Sequence, residues 1–271
     1  EIPLRLVGSE MCIRDRSDNR VRIIHQENKG LSGARKTGII NCNTEYITFV
    51  DADDFILENA YEYASEAMEK KIDMIFFEIA RYYDKNNIKI EHHVLPDGYY
   101  DRKRIEQEVY PRLIWDFKRN VPGIECSQCV RIVKKEILEL TYEKISDGGF
   151  YYGDDVAITY PAYLFINNMQ VINHNYYMHR QRGGNIAPYI KKDSFFKEAF
   201  NLYNYLIYVF SESNISDIRK QIEYFFMYSV NLKKMKYNDY VYMREFLFPF
   251  DRVEKLSLIH ISEPTRRRGI S

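Results

Sequence analysis

The segment Phe49-Val50-Asp51-Ala52-Asp53-Asp54 sets three carboxylates at the end of an apolar run. Strand side chains alternate with a period of two, so Asp51 and Asp53 are expected on one side while Asp54 turns away. Ligands of open α/β sheets collect at such carboxyl ends of strands. Two close carboxylates repel unless a cation or donor intervenes, and a hard divalent ion shared with phosphate oxygens is an economical remedy. The alternative is an acidic turn that caps the next helix, with Asp54 as N-cap ahead of Glu58.

Upstream, Asn28-Lys29-Gly30-Leu31-Ser32-Gly33-Ala34-Arg35-Lys36-Thr37-Gly38 reads as a loop entering a helix whose first turns carry Ser32, Arg35 and Lys36. A helix start offers unpaired amides and a positive dipole end to anions, and two cations add to that. The order G-x-x-x-x-G-K-[ST] is missing, so this is not a Walker loop. A plain helix with a solvated basic face is the competing reading.

Together, Gly-Leu-Ser-x-Ala-Arg-x-x-Gly and the Asp-Ala-Asp-Asp one strand later resemble the donor-binding half of a family 2 glycosyltransferase of GT-A fold. The resemblance runs from about Val21 to Ile186; Lys36 departs from it, since the family usually has Asn there. It implies a nucleotide-diphosphate sugar as donor substrate. Asp51 would lie near the ribose, Arg35 in the nucleotide pocket, and Asp53, with Asp51, would hold Mn²⁺ or Mg²⁺ on the diphosphate.

A transferase that inverts the anomeric centre needs a base for the acceptor hydroxyl, and carboxylates suit that task. The segment Phe150-Tyr151-Tyr152-Gly153-Asp154-Asp155-Val156-Ala157 resembles the family's Gly-Glu-Asp element, with Asp154 where Glu is commoner and Asp155 matching the base. Two adjacent carboxylates can share a proton, which raises one pKa. Helix capping is the alternative. Farther on, Tyr176-Tyr177-Met178-His179-Arg180-Gln181-Arg182-Gly183-Gly184-Asn185-Ile186 resembles the family's Tyr-x-x-Arg-x-Arg-x-Gly-Ser-Ile stretch. There His179, Arg180 and Arg182 would neutralise the leaving nucleotide. His179 as a metal ligand, or a basic strand without a role, are the other readings. Two rival functions stand beside transfer: a nucleotide-sugar-binding module without turnover, and D-x-D-x-T phosphatase chemistry, which fits worse because Asp54-Phe55 replaces the expected Gly-Thr.

The elements that must position these residues follow from periodicity. Val21–His25 reads as a short strand, Leu31–Ile40 as a helix with apolar residues at 31, 34, 39 and 40, and Tyr46–Val50 as a parallel strand buried on both faces. A helix over Glu58–Lys70 and a buried strand over Met74–Ala80 complete a β-α-β-α-β order, hence an α/β fold: a GT-A (Rossmann-like) mixed sheet flanked by helices, with a C-terminal helical appendage. Further expectations are an edge strand or hairpin at Ile88–Val94, a helix over Ile105–Phe117, and a strand at Cys129–Val133 running into a short helix. A helix at Val156–Phe165, a strand at Met169–Met178, helices from Asp193 and over Ile218–Lys236, and a third near Tyr242 complete the pattern. The boundary between the body (17–190) and the helical region (191–256) falls near 186–193.

The two ends, 1–16 and 257–271, look foreign: both resemble peptides translated from sequencing-adapter DNA, and the Arg266-Arg267-Arg268 run has no counterpart in the chain. A natural basic tail for an acidic membrane is the competing reading. The remainder is expected to be an N-terminally truncated enzyme, lacking central strands, poorly soluble and of little activity.

The 39 basic and 39 acidic residues of the whole chain balance, which argues against wholesale phosphate neutralisation and so against a nucleic-acid partner. No uninterrupted apolar run reaches membrane-helix length, although the aromatic C-terminal helices leave peripheral contact with a membrane open. Cys42, Cys126 and Cys129, odd in number and without a signal peptide, favour a reducing, cytoplasmic setting, at most at the inner face of the cell membrane. Cys126-x-x-Cys129 lacks the partners of a zinc site and reads as buried thiols. The abundance of Ile, Lys, Asn, Tyr and Phe hints at AT-rich bacterial DNA, and a surface polysaccharide or similar glycan is the expected acceptor.

Overall fold

The computed structural model describes residues 20–58, 60–146, 149–181 and 192–237, the last stretch with side chains over 195–230. The foreign-looking ends, Arg182, the domain boundary and the helix expected near Tyr242 lie outside the described residues.

Strand β3 (Met74–Asp84) organises the sheet. Its first seven residues are buried and divide by alternation: Met74 and Phe76 enter one apolar cluster, Ile75 and Phe77 another. A near-continuous apolar run dictates this, because both faces must be covered. Beside β3 lie β8 (Arg131–Lys134), antiparallel, and β9 (Asn168–Arg180), parallel; β1 (Tyr46–Ile47) extends the sheet beyond β8, and β2 (Phe55–Ile56) extends it beyond β9. β4 (Asn87–Glu91) folds back on β3 as a hairpin, and β5 (Gly98–Asp101) pairs with the start of β9. The sheet is therefore mixed, as expected for the class.

Helices α1 (Gly30–Asn41), α2 (Glu62–Glu69), α3 (Lys135–Glu143), α4 (Asp154–Ala162), α5 (Lys192–Val209) and α6 (Ile218–Tyr237) flank it, close to the periodic segments of the sequence. Among the described residues no helix is long and apolar enough to cross a membrane. Phe195, Phe196 and Ala199 of α5 pack on Phe226 and Val230 of α6. The fully buried Gln221 anchors α6 to the body: its Oε1 accepts from the Ile114 and Trp115 amides at 2.9 and 3.2 Å, and its Nε2 donates to the Tyr110 carbonyl at 2.8 Å.

Three expectations need correction. Val21–His25 forms no strand, and Val21, Ile23 and Ile24 are exposed. The Tyr46–Val50 strand shrinks to two residues, runs antiparallel to β8, and leaves Val50 exposed. Among the described residues nothing pairs with the outer edge of β1, so β1 is an edge strand and not a central one. The helix over Ile105–Phe117 breaks into an α-turn at Arg102–Arg104, a π-turn at Ile105–Val109 and a 3₁₀-turn at Tyr110–Arg112. Pro111 has no amide to continue the ladder. Trp115–Asp116 then becomes β6, paired with β7 (Val121–Pro122).

Candidate functional site

Helix α1 buries a polar face. Ser32, Arg35 and Ile39, spaced by three and four, point inward, whereas Leu31 and Ile40 are exposed, against the apolar stripe expected at 31, 34, 39 and 40. The loop before α4 comes close enough to this face that a Cβ on Gly149, whose φ is +61°, would overlap the Ser32 side chain. This sets the start of α4 within reach of Arg35 on α1.

Arg35 is the result. Its side chain is 6% exposed, and its Nη1 donates to Asp155 Oδ1 at 2.7 Å and to Asp154 Oδ2 at 3.4 Å, while Nη2 donates to Asp51 Oδ1 at 3.2 Å. The guanidinium also lies over the Phe49 ring, 5.3 Å from its centroid. Burial opposes the Arg35 charge, but Asp155 above all, with Cys129 and Asp51, outweighs it and raises the pKa. The acids of the two motifs, far apart in sequence, thus meet on one cation. Asp51 and Asp155 stay open to solvent, at 45% and 35% side-chain exposure.

Asp154 and Asp155 are the first two residues of α4, behind Gly153 as N-cap. Their environments differ. Asp154 is mostly enclosed, and its Oδ1 is buried without a hydrogen-bond partner. Burial pushes its pKa up to about 6; Arg35 works against that, and Asp155 adds to it. Asp155 Oδ1 instead takes a second donor, Gln128 Nε2 at 3.1 Å, and Gln128 Oε1 accepts from the Tyr142 hydroxyl at 2.9 Å.

The acidic loop departs from the alternation expected of it. β1 ends at Ile47, and residues 51–54 form a turn in which the Asp54 amide donates to the Asp51 carbonyl at 3.0 Å. Alternation stops where the strand stops. Asp54 does not cap a helix, since α2 starts only at Glu62. Its Oδ2 accepts from the Tyr177 hydroxyl at 2.6 Å and its Oδ1 from the Arg180 amide at 2.8 Å, while the Asp51 amide donates to the same Tyr177 oxygen at 3.2 Å. Asp53 makes no hydrogen bond or ion pair among the described residues.

β9 therefore acts through Tyr177 and its own backbone. Of the expected basic side chains, His179 Nδ1 meets Arg81 Nη1, whose Nη2 pairs with Glu91 at 2.9 Å, and the exposed Arg180 guanidinium lies over the Phe55 ring. Gln128, Tyr142 and Tyr177 were not singled out in the sequence. An inward-facing Tyr two residues from His179 on a strand was the one available signal, and it does not distinguish a core residue from a site residue.

The donor set suits a divalent cation in part. Carboxylate oxygens are the ligands that Mg²⁺ and Mn²⁺ prefer. Among the described residues Asp53 has no other partner, and three carboxylates face one guanidinium. No group of three or more His, Cys, Asp or Glu residues among the described residues is arranged to hold a metal ion, so the further ligands would have to come from substrate.

Residues 9–140 match the family described as Glycosyl transferase family 2. The chain is 33% identical over 173 residues to glycosyltransferase GlyG of Streptococcus pneumoniae serotype 4, covering 62% of this chain and 55% of that protein. It is 29% identical over 174 residues to GlyA of the same organism, covering 63% of this chain and 24% of that protein. The chain thus spans about half, or less, of the length of these curated relatives. Among solved structures, S. aureus TarS 1-349 in complex with UDP-GlcNAc superposes with a TM-score of 0.51 at 14% identity, covering 78% of this chain and 55% of that one. The fold is that of the GT-A glycosyltransferases, and residues 9–140 resemble glycosyltransferase family 2.

Proposed function

We propose that the chain is the catalytic part of an inverting, metal-dependent glycosyltransferase that moves a hexose-type sugar from a nucleotide-diphosphate donor to a surface polysaccharide or similar glycan. The observation that carries this reading is the convergence of Asp51 and Asp155 on Arg35. Asp155 accepts the proton of the acceptor hydroxyl while that oxygen bonds to the anomeric carbon. The bond to the nucleoside diphosphate breaks on the opposite face, and its electrons leave with the phosphate oxygen. Asp53, with Asp51, would hold Mn²⁺ or Mg²⁺, which supplies charge neutralisation of the departing diphosphate. Arg35 orients Asp155, and Arg180 and Arg182 would add positive charge on the nucleotide side.

The UDP-GlcNAc bound to TarS makes UDP-sugars the first donors to test. The exposed Val21, Ile23, Ile24 and Val50 support the reading of the chain as a fragment. The test is transfer from UDP-, GDP- and dTDP-sugars with Mn²⁺, in the chain and in Asp155→Asn. Transfer lost with donor binding retained supports the base; donor binding without transfer in either protein favours a silent binding module.

A further inference from the structure

Asp155 meets both of its side-chain donors with the same oxygen. Arg35 Nη1 at 2.7 Å and Gln128 Nε2 at 3.1 Å donate to Oδ1, and among the described residues nothing donates to Oδ2, which is open to solvent. A carboxylate that turns about its Cβ–Cγ bond exchanges its two oxygens. Arg35 reaches Asp155 through one bond only, since Nη1 also leans toward Asp154 at 3.4 Å and Nη2 serves Asp51. A second donor, approaching the same oxygen from another element, removes the remaining freedom.

Gln128 is placed to be that donor. It is 4% exposed and opens the 3₁₀ turn Gln128–Val130. An ionised carboxylate only accepts, so the amide nitrogen must face Asp155 and the amide oxygen must face away. That oxygen accepts from the Tyr142 hydroxyl of α3 at 2.9 Å. Burial holds the Tyr142 pKa above its ordinary value, so the hydroxyl keeps the proton it donates. The backbone that carries Gln128 is held as well: the buried Arg131 guanidinium donates to the Ser127 and Glu125 carbonyls, and Thr159 Oγ1 of α4 donates to the Cys126 carbonyl at 2.6 Å. Asp155 and the residue that orients it are therefore tied to the same helix, and the geometry is set before any ligand arrives.

We propose that Gln128, held by Tyr142, is a positioning residue that fixes the Asp155 carboxylate so that Oδ2 is the oxygen that receives the acceptor proton. The acceptor O–H bond breaks toward Oδ2, and its electron pair enters the new bond to the anomeric carbon. The proposal rests on the transferase reading above and adds which oxygen acts and which side chains select it.

Two measurements on the full chain test it. In ¹⁵N NMR the Gln128 side-chain amide, assigned by its loss in Gln128→Leu, is expected to be protected from solvent exchange, with exchange at least about tenfold faster in Tyr142→Phe and in Asp155→Ala. In kinetics, UDP release from UDP-GlcNAc with Mn²⁺ and cellobiose, maltose or N-acetyllactosamine is followed. Gln128→Leu should lower kcat at least about tenfold and leave the donor KM within about twofold, a split that a loss of packing does not produce. The double variant Gln128→Leu/Tyr142→Phe leaves neither polar partner orphaned, so it keeps the fold, and it should lose no more kcat than Gln128→Leu alone. Amide exchange indifferent to Tyr142→Phe, a kcat unchanged in Gln128→Leu, or additive losses in the double variant overturns the proposal. No UDP release by the unsubstituted chain counts against the transferase reading, and amide exchange then decides the positioning by itself.

Discussion

Arg35 holds Asp155 at 2.7 Å and Asp51 at 3.2 Å with the two arms of one guanidinium, although 120 and 16 residues of chain separate it from them. A buried cation removed from among acids leaves like charges facing each other, a loss of about 3–5 kcal/mol for an enclosed pair. Asp51 and Asp155 are partly solvated here, so Arg35→Met is expected to cost less, roughly 2–3 kcal/mol at pH 8. The loss should shrink at pH 5, where Asp154 is protonated. Urea unfolding at the two pH values measures it; an equal loss at both would show that Arg35 acts through packing alone.

Asp154 gives the opposite sign. A carboxyl whose folded pKa rises to about 6, above its ordinary value near 3.9, binds its proton more tightly in the native state. Its protonation stabilises the fold below the unfolded pKa, and that contribution is lost as pH climbs to 6. Above pH 6 the ionised, buried carboxylate is a burden of up to ~3 kcal/mol. Asp154→Asn should therefore raise the melting temperature at pH 8 and leave it nearly unchanged at pH 4. A drop at pH 8 would mean that the bond to Arg35 outweighs burial.

How much of this was legible in the sequence depends on which interactions are local. β3, β9, α4, α5 and α6 follow from apolar periodicity, because burial of one face or two imposes it. The acidic segments announced themselves as strand-end and helix-start motifs, and the structure brings Asp51, Asp154 and Asp155 together on Arg35. What was not legible depends on partners distant in sequence. Val21–His25 has strand composition but pairs with no strand among the described residues, and the role of Asp54 is set by Tyr177, 123 residues away. No spacing rule encodes a tyrosine that reaches across a sheet.

Tyr177 accepts from the Asp51 amide and donates to Asp54 Oδ2, so one hydroxyl sets the acidic turn. Burial raises its pKa, and the bond to Asp54 raises it further; it stays protonated and keeps donating. Tyr177→Phe leaves both groups without that partner at a cost of roughly 1–3 kcal/mol. If the turn positions the donor, KM for the nucleotide sugar should rise several-fold with kcat reduced less. A double-mutant cycle with Asp54→Ala should show coupling of about 1 kcal/mol or more. Additive effects would separate Tyr177 from the turn.

Gly153 sits at φ +71° directly ahead of Asp154, and a Cβ there would run into Leu202 of α5. Two penalties then combine in Gly153→Ala. A non-glycine residue in the left-handed region costs about 1–2 kcal/mol, and the overlap forces the Leu202 side chain or α4 to shift. Because Asp155 follows two residues later, a shift of α4 disturbs its bonds to Arg35 and Gln128, so transfer should fall by more than the loss of stability explains. Leu202→Ala opens a cavity at the same place and costs about 2–5 kcal/mol by itself. In that background the overlap is relieved and only the backbone penalty of Gly153→Ala remains. The double variant should therefore be less destabilised than the sum of the two single ones. Strict additivity in chemical denaturation would place the whole effect in the backbone and none in the contact between α4 and α5.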